Sequence, residues 1–356
     1  MAQTILFGNG CYLEIEEILK KEGVKNLLLV SGNSFKKTEI YKHIMGLSVN
    51  IFEFGGFSPN PKYEEALEGT KVFDENMCTA ILAAGGGSAL DTAKCIKTFS
   101  KRNKEEKKIP LITIPTTAGT GSESTQYAVF YRNGQKDSLA SSLVMPEYAL
   151  LIPHLLATLP EYQKKCTLLD ALCQAAESFW SVNSTDESRR IAGEAIEKLV
   201  PNIYKYCCDN DDSVLDDIML GSNLAGQAIA LTATTAPHAM SYKLTTTYGI
   251  PHGLGVGLTF PKVLRYMAEG KGECNDSRGR EFVDNILLEL AHLFGKDTPL
   301  SLADWFEEML KKLGLSAPER TEQETEMLAA SVNPERLNNN PVKLDFEALY
   351  DMYAAL

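Results

Sequence analysis

The spacing of apolar residues changes character near Leu159-Pro160. Before that point, short apolar runs alternate with amphipathic stretches. Leu27–Ser31 reads as a strand that ends at Gly32-Asn33, and Ile51–Phe54 as a second. Thr79–Ala84 (TAILAA) is a buried third, and Ile109–Pro115 a fourth. Glu64–Phe73 has a helical pattern, and another helix runs from the glycine loop after Ala84 through Lys97. Strands alternating with helices at this spacing predict a parallel sheet covered on both faces. After Pro160 the pattern becomes helical, with few β-branched runs: Tyr162–Trp180, Glu187–Tyr206, Ser213–Ala230, Arg280–Leu293, Leu302–Leu313 and Phe346–Ala355. A chain of 356 residues exceeds what one core usually serves. The expected architecture is therefore an α/β domain with a parallel sheet over residues 1–158 and an all-α domain over 159–356.

Composition narrows the function. A formal net charge of −12 argues against nucleic acid and anionic membrane as partners. No apolar run approaches the ~20 residues needed to span a bilayer. The opening Met1–Gly8 lacks the basic and long apolar segments of a signal peptide, so a cytoplasmic protein is expected. Of the eight cysteines no two form a CxxC pair, and Cys207-Cys208 are adjacent. They read as free thiols used in packing rather than as zinc or redox motifs.

Two loops carry candidate chemistry in the first domain. Gly85-Gly86-Gly87-Ser88 joins a buried strand to a helix. Consecutive glycines let backbone approach a phosphate, and a helix N-terminus favours an anion. Ser88 is expected to cap that helix, with Asp91 completing a near capping box. An ordinary tight strand-to-helix turn would look the same, and the spacing is not the standard GxGxxG dinucleotide fingerprint. Pro115–Glu123 (PTTAGTGSE) then places four hydroxyl residues and two glycines after the next strand, at the end where open α/β sheets bind ligands.

The second domain holds a candidate metal site. The chain has five histidines, and two occur in related contexts fourteen residues apart, Pro237-His238-Ala239 and Pro251-His252-Gly253. If His238 lies on a helix and His252 follows the next turn, both imidazoles can face one point. Neutral imidazole is a common transition-metal ligand. Asp170 and Gln174, four apart in a helical segment, share a face and offer a carboxylate and a weaker carbonyl oxygen.

Together GGGSALDTAK (85–94), PTTAGTGSE (115–123), LLDALCQAAES (168–178) and PHAMSYKLTTTYGIPHG (237–253) resemble the iron-containing (group III) alcohol dehydrogenases, relatives of glycerol dehydrogenase and dehydroquinate synthase. The resemblance covers most of the chain in the family's order. It implies a dinucleotide-binding α/β domain, an all-helical metal-binding domain, and an active site in the cleft between them. It carries cofactor contact onto Gly86, Gly87, Ser88, Thr116, Thr117 and Thr120, and suggests Asn60 and Lys136 as well. The family's metal ligands fall on Asp170, His238 and His252. Where this chain has Gln174 the family usually has histidine, so the site is expected to rest on three strong donors. A second family histidine is replaced by Tyr242, a candidate proton relay. Asp170–Thr185 and Thr234–Gly253 also resemble a branch acting on two-carbon aldehydes that bear a phosphonate or sulfonate.

The expected activity is metal-dependent, NAD(P)H-linked reduction of a small anionic aldehyde to its alcohol. The reading leans to sulfoacetaldehyde, with phosphonoacetaldehyde close behind, and Lys243 with Thr245–Thr247 as the anion holder. The competing readings are a glycerol-dehydrogenase-like oxidoreductase of neutral alcohols or polyols, and a nucleotide-binding protein that has lost its metal. Fe2+, Zn2+ and Mn2+ all suit the donors. Lys36 and Lys37 could attract the 2′-phosphate of NADP. A small-molecule substrate and a homodimer or higher homo-oligomer are expected.

Overall fold

The computed structural model describes residues 3–104 and 108–356. The chain divides into two compact units, Met1–Thr158 and Leu159–Leu356. In the first, the elements run β1 (Thr4–Phe7), α1 (Ile15–Lys21), β2 (Asn26–Ser31), α2 (Glu39–Met45), β3 (Asn50–Phe54), α3 (Tyr63–Glu75), β4 (Ala80–Gly85), α4 (Gly87–Phe99), α5 (Lys101–Lys104), β5 (Leu111–Pro115), β6 (Tyr127–Arg132), β7 (Gln135–Ala140) and β8 (Tyr148–Leu151). Six strands form one sheet in the order β1-β8-β5-β4-β2-β3, and every pairing in it is parallel.

Alternate residues of each strand serve opposite faces. Leu27, Leu29, Leu82, Ala84, Ile112 and Ile114 pack with Ile15, Leu19, Ile40 and Ile44 of α1 and α2. Leu28, Val30, Ile81, Ala83 and Leu111 pack with Phe73, Leu90, Ala93 and Ile96 of α3 and α4. This two-sided burial explains why the central strands are continuous apolar runs. The chain steps from β2 to β3 in one direction and builds β4, β5 and β8 in the other. That reversal places the loops after β2 and β4 at the kind of switch point where open sheets take ligands. A second, two-stranded sheet pairs β6 with β7 antiparallel. Asn133 and Gly134, both at positive φ, turn this hairpin.

The second unit contains α6 (Glu161–Trp180), α7 (Asp186–Leu199), α8 (Ile203–Cys207), α9 (Leu215–Thr232), α10 (Ala236–Tyr248), α11 (His252–Ala268), α12 (Arg280–Leu293), α13 (Pro299–Lys312), α14 (Glu322–Ala330), α15 (Pro334–Leu337) and α16 (Phe346–Ala354). The helix expected over Glu187–Tyr206 is instead two, divided around Pro201, whose ring cannot sit in a helix interior without cost. Thr185 and Ser188 cap α7 reciprocally, as Thr298 and Ser301 cap α13. Among the described residues no helix is long and apolar enough to cross a membrane.

Candidate nucleotide and metal sites

In the first unit, α4 begins directly at the glycine loop. Its N-cap is Gly86 rather than Ser88, and no side chain caps it. The expected capping box is therefore not formed. Ser88 lies inside the first turn, where its Oγ accepts from the Asn60 backbone N–H at 3.3 Å. Asp91 turns away to accept from Ser122 Oγ at 2.6 Å and Val129 N at 3.0 Å. A bare glycine terminus leaves the first helical N–H groups without a side-chain acceptor, which suits an external anion.

The hydroxyl loop closes over this terminus. Thr116 N donates to Gly85 O at 2.9 Å, so β5 hands the chain directly to the loop. A Cβ on Gly86 would lie 3.3 Å from Thr117, and one on Gly87 only 2.8 Å from Thr120 Cγ2. Glycine is thus required at Gly87 by the approach of Thr120. The structure brings Asn60, Gly86, Gly87, Ser88, Thr116, Thr117 and Thr120 into one neighbourhood. Asn60 adopts φ 59, a left-handed conformation that asparagine tolerates well. Lys136, on β7, contributes to the field at Asp91.

Asp91, read from the sequence only as part of a capping box, and Lys94, not singled out there, hold the loops together. Lys94 is fully buried, and its ammonium donates to the carbonyls of Ser122 (2.5 Å), Thr125 (2.9 Å) and Tyr127 (2.7 Å). Burial pushes its pKa down to about 8, against the opposing pull of Asp91 and Glu123. The signal was present in sequence: a lysine at this position on a helix otherwise buried against the sheet needs internal acceptors. Lys36 pairs with Glu53 at 2.9 Å, which occupies the ammonium that sequence reading offered to a 2′-phosphate.

In the second unit, Asp170, His238 and His252 each present one ligand atom within 4.8 Å of the others. Three helices converge to do this. Asp170 lies mid-way along α6, His238 in the first turn of α10, and His252 is the first residue of α11. Gly249, at φ 65, ends α10, and the chain re-enters a helix after Pro251. The start of α11 approaches α6 so closely that a Cβ on Gly253 would lie 1.9 Å from Cys166 O and 2.9 Å from Asp170 Cβ. Glycine beside His252 is what lets the imidazole reach the carboxylate.

Each ligand is oriented by a second group. His238 Nδ1 lies 2.5 Å from Glu177 Oε1, while Glu177 Oε2 accepts from Thr235 N at 2.7 Å and Thr235 Oγ1 at 2.8 Å. An ionised carboxylate only accepts, so Nδ1 carries the hydrogen and Nε2 faces Asp170 at 3.3 Å. Ser241 Oγ gives its hydrogen to His238 O at 2.8 Å. It therefore accepts from His252 Nδ1 at 3.2 Å, leaving His252 Nε2, 3.9 Å from Asp170 Oδ1, as the outward donor. Burial alone would lower the His238 pKa, but Glu177 and Asp170 outweigh it and raise it to about 9. Burial likewise opposes ionisation of Asp170, yet His238, His252 and the Gln174 side chain hold its carboxyl below its ordinary value.

These residues fit a divalent metal. Metal–ligand distances of ~2.0–2.2 Å in a tetrahedral set put donor atoms about 3.4 Å apart. The 3.3 and 3.9 Å separations found here are of that size. Carboxylate-buttressed histidine is the usual way such ligands are fixed. Gln174 interacts with Asp170, and Tyr242 stacks on His252 at 5.7 Å and 12°. Lys243 is half-buried and lies about 100° round α10 from Tyr242. Glu177 was missed in the sequence, although Asp170, Gln174 and Glu177 follow the i, i+4, i+7 pattern of one helix face.

Comparison with known proteins bears on both sites. The profile of the iron-containing alcohol dehydrogenase domain matches residues 2–153, and that of the C-terminal domain of the Fe-containing alcohol dehydrogenase family matches residues 165–356. A phosphonoacetaldehyde reductase from Streptomyces viridochromogenes is 34% identical over 290 residues, covering 80% of this chain and 73% of that protein. A probable NADH-dependent butanol dehydrogenase from Bacillus subtilis is 27% identical over 288 residues, covering 74% of this chain and 73% of that one. The crystal structure of sulfoacetaldehyde reductase from Bifidobacterium kashiwanohense in complex with NAD+ superposes with a TM-score of 0.87 at 28% identity, covering 99% of this chain and 96% of that one.

Proposed function

The chain belongs to the iron-containing alcohol dehydrogenase family, enzymes that use NAD(P) and a divalent metal, and on that premise we propose that it reduces a short aldehyde bearing a negatively charged group. The reaction is RCHO + NAD(P)H + H+ → RCH2OH + NAD(P)+. The observation that carries the enzymatic reading is the convergence of Asp170, His238 and His252, with Glu177 and Ser241 orienting the two imidazoles. The charged substrate class is supported by the likeness to reductases of phosphonoacetaldehyde and sulfoacetaldehyde.

In this reading the uncapped start of α4 binds the pyrophosphate through backbone N–H groups. Gly86 and Gly87 permit that approach, and Ser88, Thr116, Thr117 and Thr120 supply hydroxyls. Asn60 shapes the loop that borders Ser88, and Lys136 adds positive potential. Asp170, His238 and His252 hold the metal, with Gln174 beside the carboxylate. When bound, the metal supplies Lewis acidity at the carbonyl oxygen and the nicotinamide supplies the hydride. Glu177 and Ser241 keep both imidazoles turned with Nε2 toward Asp170. Tyr242 stays a neutral phenol, because burial raises its pKa despite the nearby Arg336 cation. It therefore holds a proton at its Oη beside His252 and serves as a donor rather than a base.

The test is an initial-rate survey of phosphonoacetaldehyde, sulfoacetaldehyde, propanal and glycolaldehyde with NADH and NADPH. A hydrogen bond to a charged group contributes ~1.5–3 kcal/mol. The charged aldehydes should then lead in kcat/KM by roughly tenfold to a hundredfold. Equal efficiency on neutral aldehydes would sink the anionic-substrate claim and favour a neutral alcohol or polyol oxidoreductase.

A further inference from the structure

The Tyr242 side of the metal cluster carries a cation that sequence reading did not single out. Arg336, on the short α15, donates from Nη1 to Tyr242 Oη at 3.4 Å. Its guanidinium carbon lies 5.1 Å from the centroid of the Tyr242 ring. That ring in turn stacks on His252 at 5.7 Å, with the planes 12° apart. Guanidinium and imidazole thus both contact one phenol, and the imidazole belongs to one of the three candidate metal ligands.

Two features make Arg336 more than a packing residue. It is half-buried, yet among the described residues no carboxylate lies within ion-pair distance of it. An arginine has five N–H donors, and the hydrogen bond to Tyr242 uses one of them. A partly desolvated cation without an anion is unfavourable unless something else compensates it. The segment that bears it is also tied to the metal-binding helices. Asn339 Nδ2 donates to Thr234 O at 3.3 Å, just before α10 begins. Asn339 Oδ1 accepts from Asn183 at 2.8 Å, just after α6 ends. The segment bearing Arg336 is therefore tied at Asn339 to the chain that flanks α6 and α10, and its head group is placed by Tyr242.

We propose that Arg336 is the specificity-determining residue that binds the charged end of the substrate, a phosphonate or sulfonate, while the aldehyde end lies toward His252. The inference rests on the anionic-substrate reading above and assigns its anchor. A planar fork suits a tetrahedral oxyanion, to which it can donate two parallel hydrogen bonds. The guanidinium and the His252 imidazole both pack against the Tyr242 side chain, so an oxyanion held by the first and a carbonyl turned toward the second can belong to one short molecule. Lys243 is the alternative cation, one helical position beyond Tyr242.

The experiment compares wild type, Arg336→Gln, Arg336→Lys and Lys243→Ala on phosphonoacetaldehyde, sulfoacetaldehyde and propanal. Ethylphosphonate and ethanesulfonate serve as unreactive ligands whose binding to metal- and NAD+-loaded protein is followed by calorimetry. Arg336→Gln should lower kcat/KM on both charged aldehydes at least tenfold, mainly through KM, and weaken both unreactive ligands in parallel. Metal content and NADH affinity should stay within about twofold, and propanal turnover should fall clearly less than turnover of the charged aldehydes. Arg336→Lys keeps the charge without the fork and should fall between the two, which keeps the test informative if the glutamine variant is unstable. Survival of the charged-substrate preference in Arg336→Gln, with its loss in Lys243→Ala, overturns the assignment but leaves the anionic-substrate reading intact. An equal loss on propanal also overturns it, since Arg336 would then act only through Tyr242. A wild type without preference for charged aldehydes refutes the underlying reading itself.

Discussion

The two candidate sites are made of different material. In the first unit the working groups are backbone N–H groups and short hydroxyls, and the decisive side chains are the missing ones at Gly86 and Gly87. In the second unit the working groups are three side chains drawn from three helices, each steered by a further polar neighbour. A backbone site tolerates exchange of its hydroxyl residues but not added bulk. A side-chain site tolerates no loss of a donor. One fold class supplies approachable backbone at the ends of parallel strands, and the other supplies inward-facing positions on packed helices.

On this contrast, damage to one site leaves the other working. The largest effect is expected from His252→Ala. Bound metal, measured by elemental analysis, and aldehyde reduction should both fall below detection, while NADH fluorescence titration stays within twofold of wild type. An active metal-free variant would refute the assignment of the centre. The converse is Gly87→Val, where the new Cβ would collide with Thr120. NADH affinity should weaken about a hundredfold while metal stoichiometry is unchanged. A folded variant with normal cofactor titration would make the glycine loop purely architectural.

A smaller effect sharpens the comparison through pH. In the metal-free protein the His238 pKa is raised from 6.5 to about 9 by Glu177 and Asp170 against the effect of burial. Its contribution to stability is full below pH 6.5 and is lost as pH rises toward 9, because the native state holds the proton more tightly. Lys94 works in the opposite sense, its pKa lowered from 10.5 to about 8 by burial, so it adds stability only above about pH 8. The melting temperature of metal-free protein should therefore decline between pH 6.5 and 8, and Glu177→Gln should flatten that decline. A flat wild-type profile would show that His238 is not held between two carboxylates.

Much of the fold could be read from the chain because its signals were local. β2, β4 and β5 are continuous apolar runs buried on both faces, and Arg280–Leu293 has a regular amphipathic period. What escaped reading depended on context. β1 and β8 are four residues each, too short to display a period. The β6–β7 hairpin was missed although Asn133-Gly134 is a strong turn signal. The helices α10 and α11 did not read as helices because Thr245–Thr247 and the glycines at 253, 255 and 257 have poor helix propensity. They are helical because their surroundings bury them, and Gly253 and Gly257 are small where α6 passes. The histidine pair and Asp170 were legible because histidine is scarce in this chain. Glu177 and Arg336 were not, since nothing local separates a buttressing carboxylate or a lone guanidinium from surface charge. Ser88 misled for a related reason: a serine near a helix start looks like a cap until a glycine takes that role.

The short turn between α10 and α11 also has a temporal consequence. His238 and His252 are 14 positions apart, whereas Asp170 precedes His238 by 68. Closing the longer loop costs about 1.4 kcal/mol more in chain entropy than closing the shorter one. The imidazole pair is thus a near-neighbour contact available early in folding, and the carboxylate contact is the late one. During synthesis Asp170 and Glu177 leave the ribosome long before either histidine. The three-donor pocket therefore cannot exist until residue 252 has emerged, by which time the whole of the first unit is already outside and able to fold.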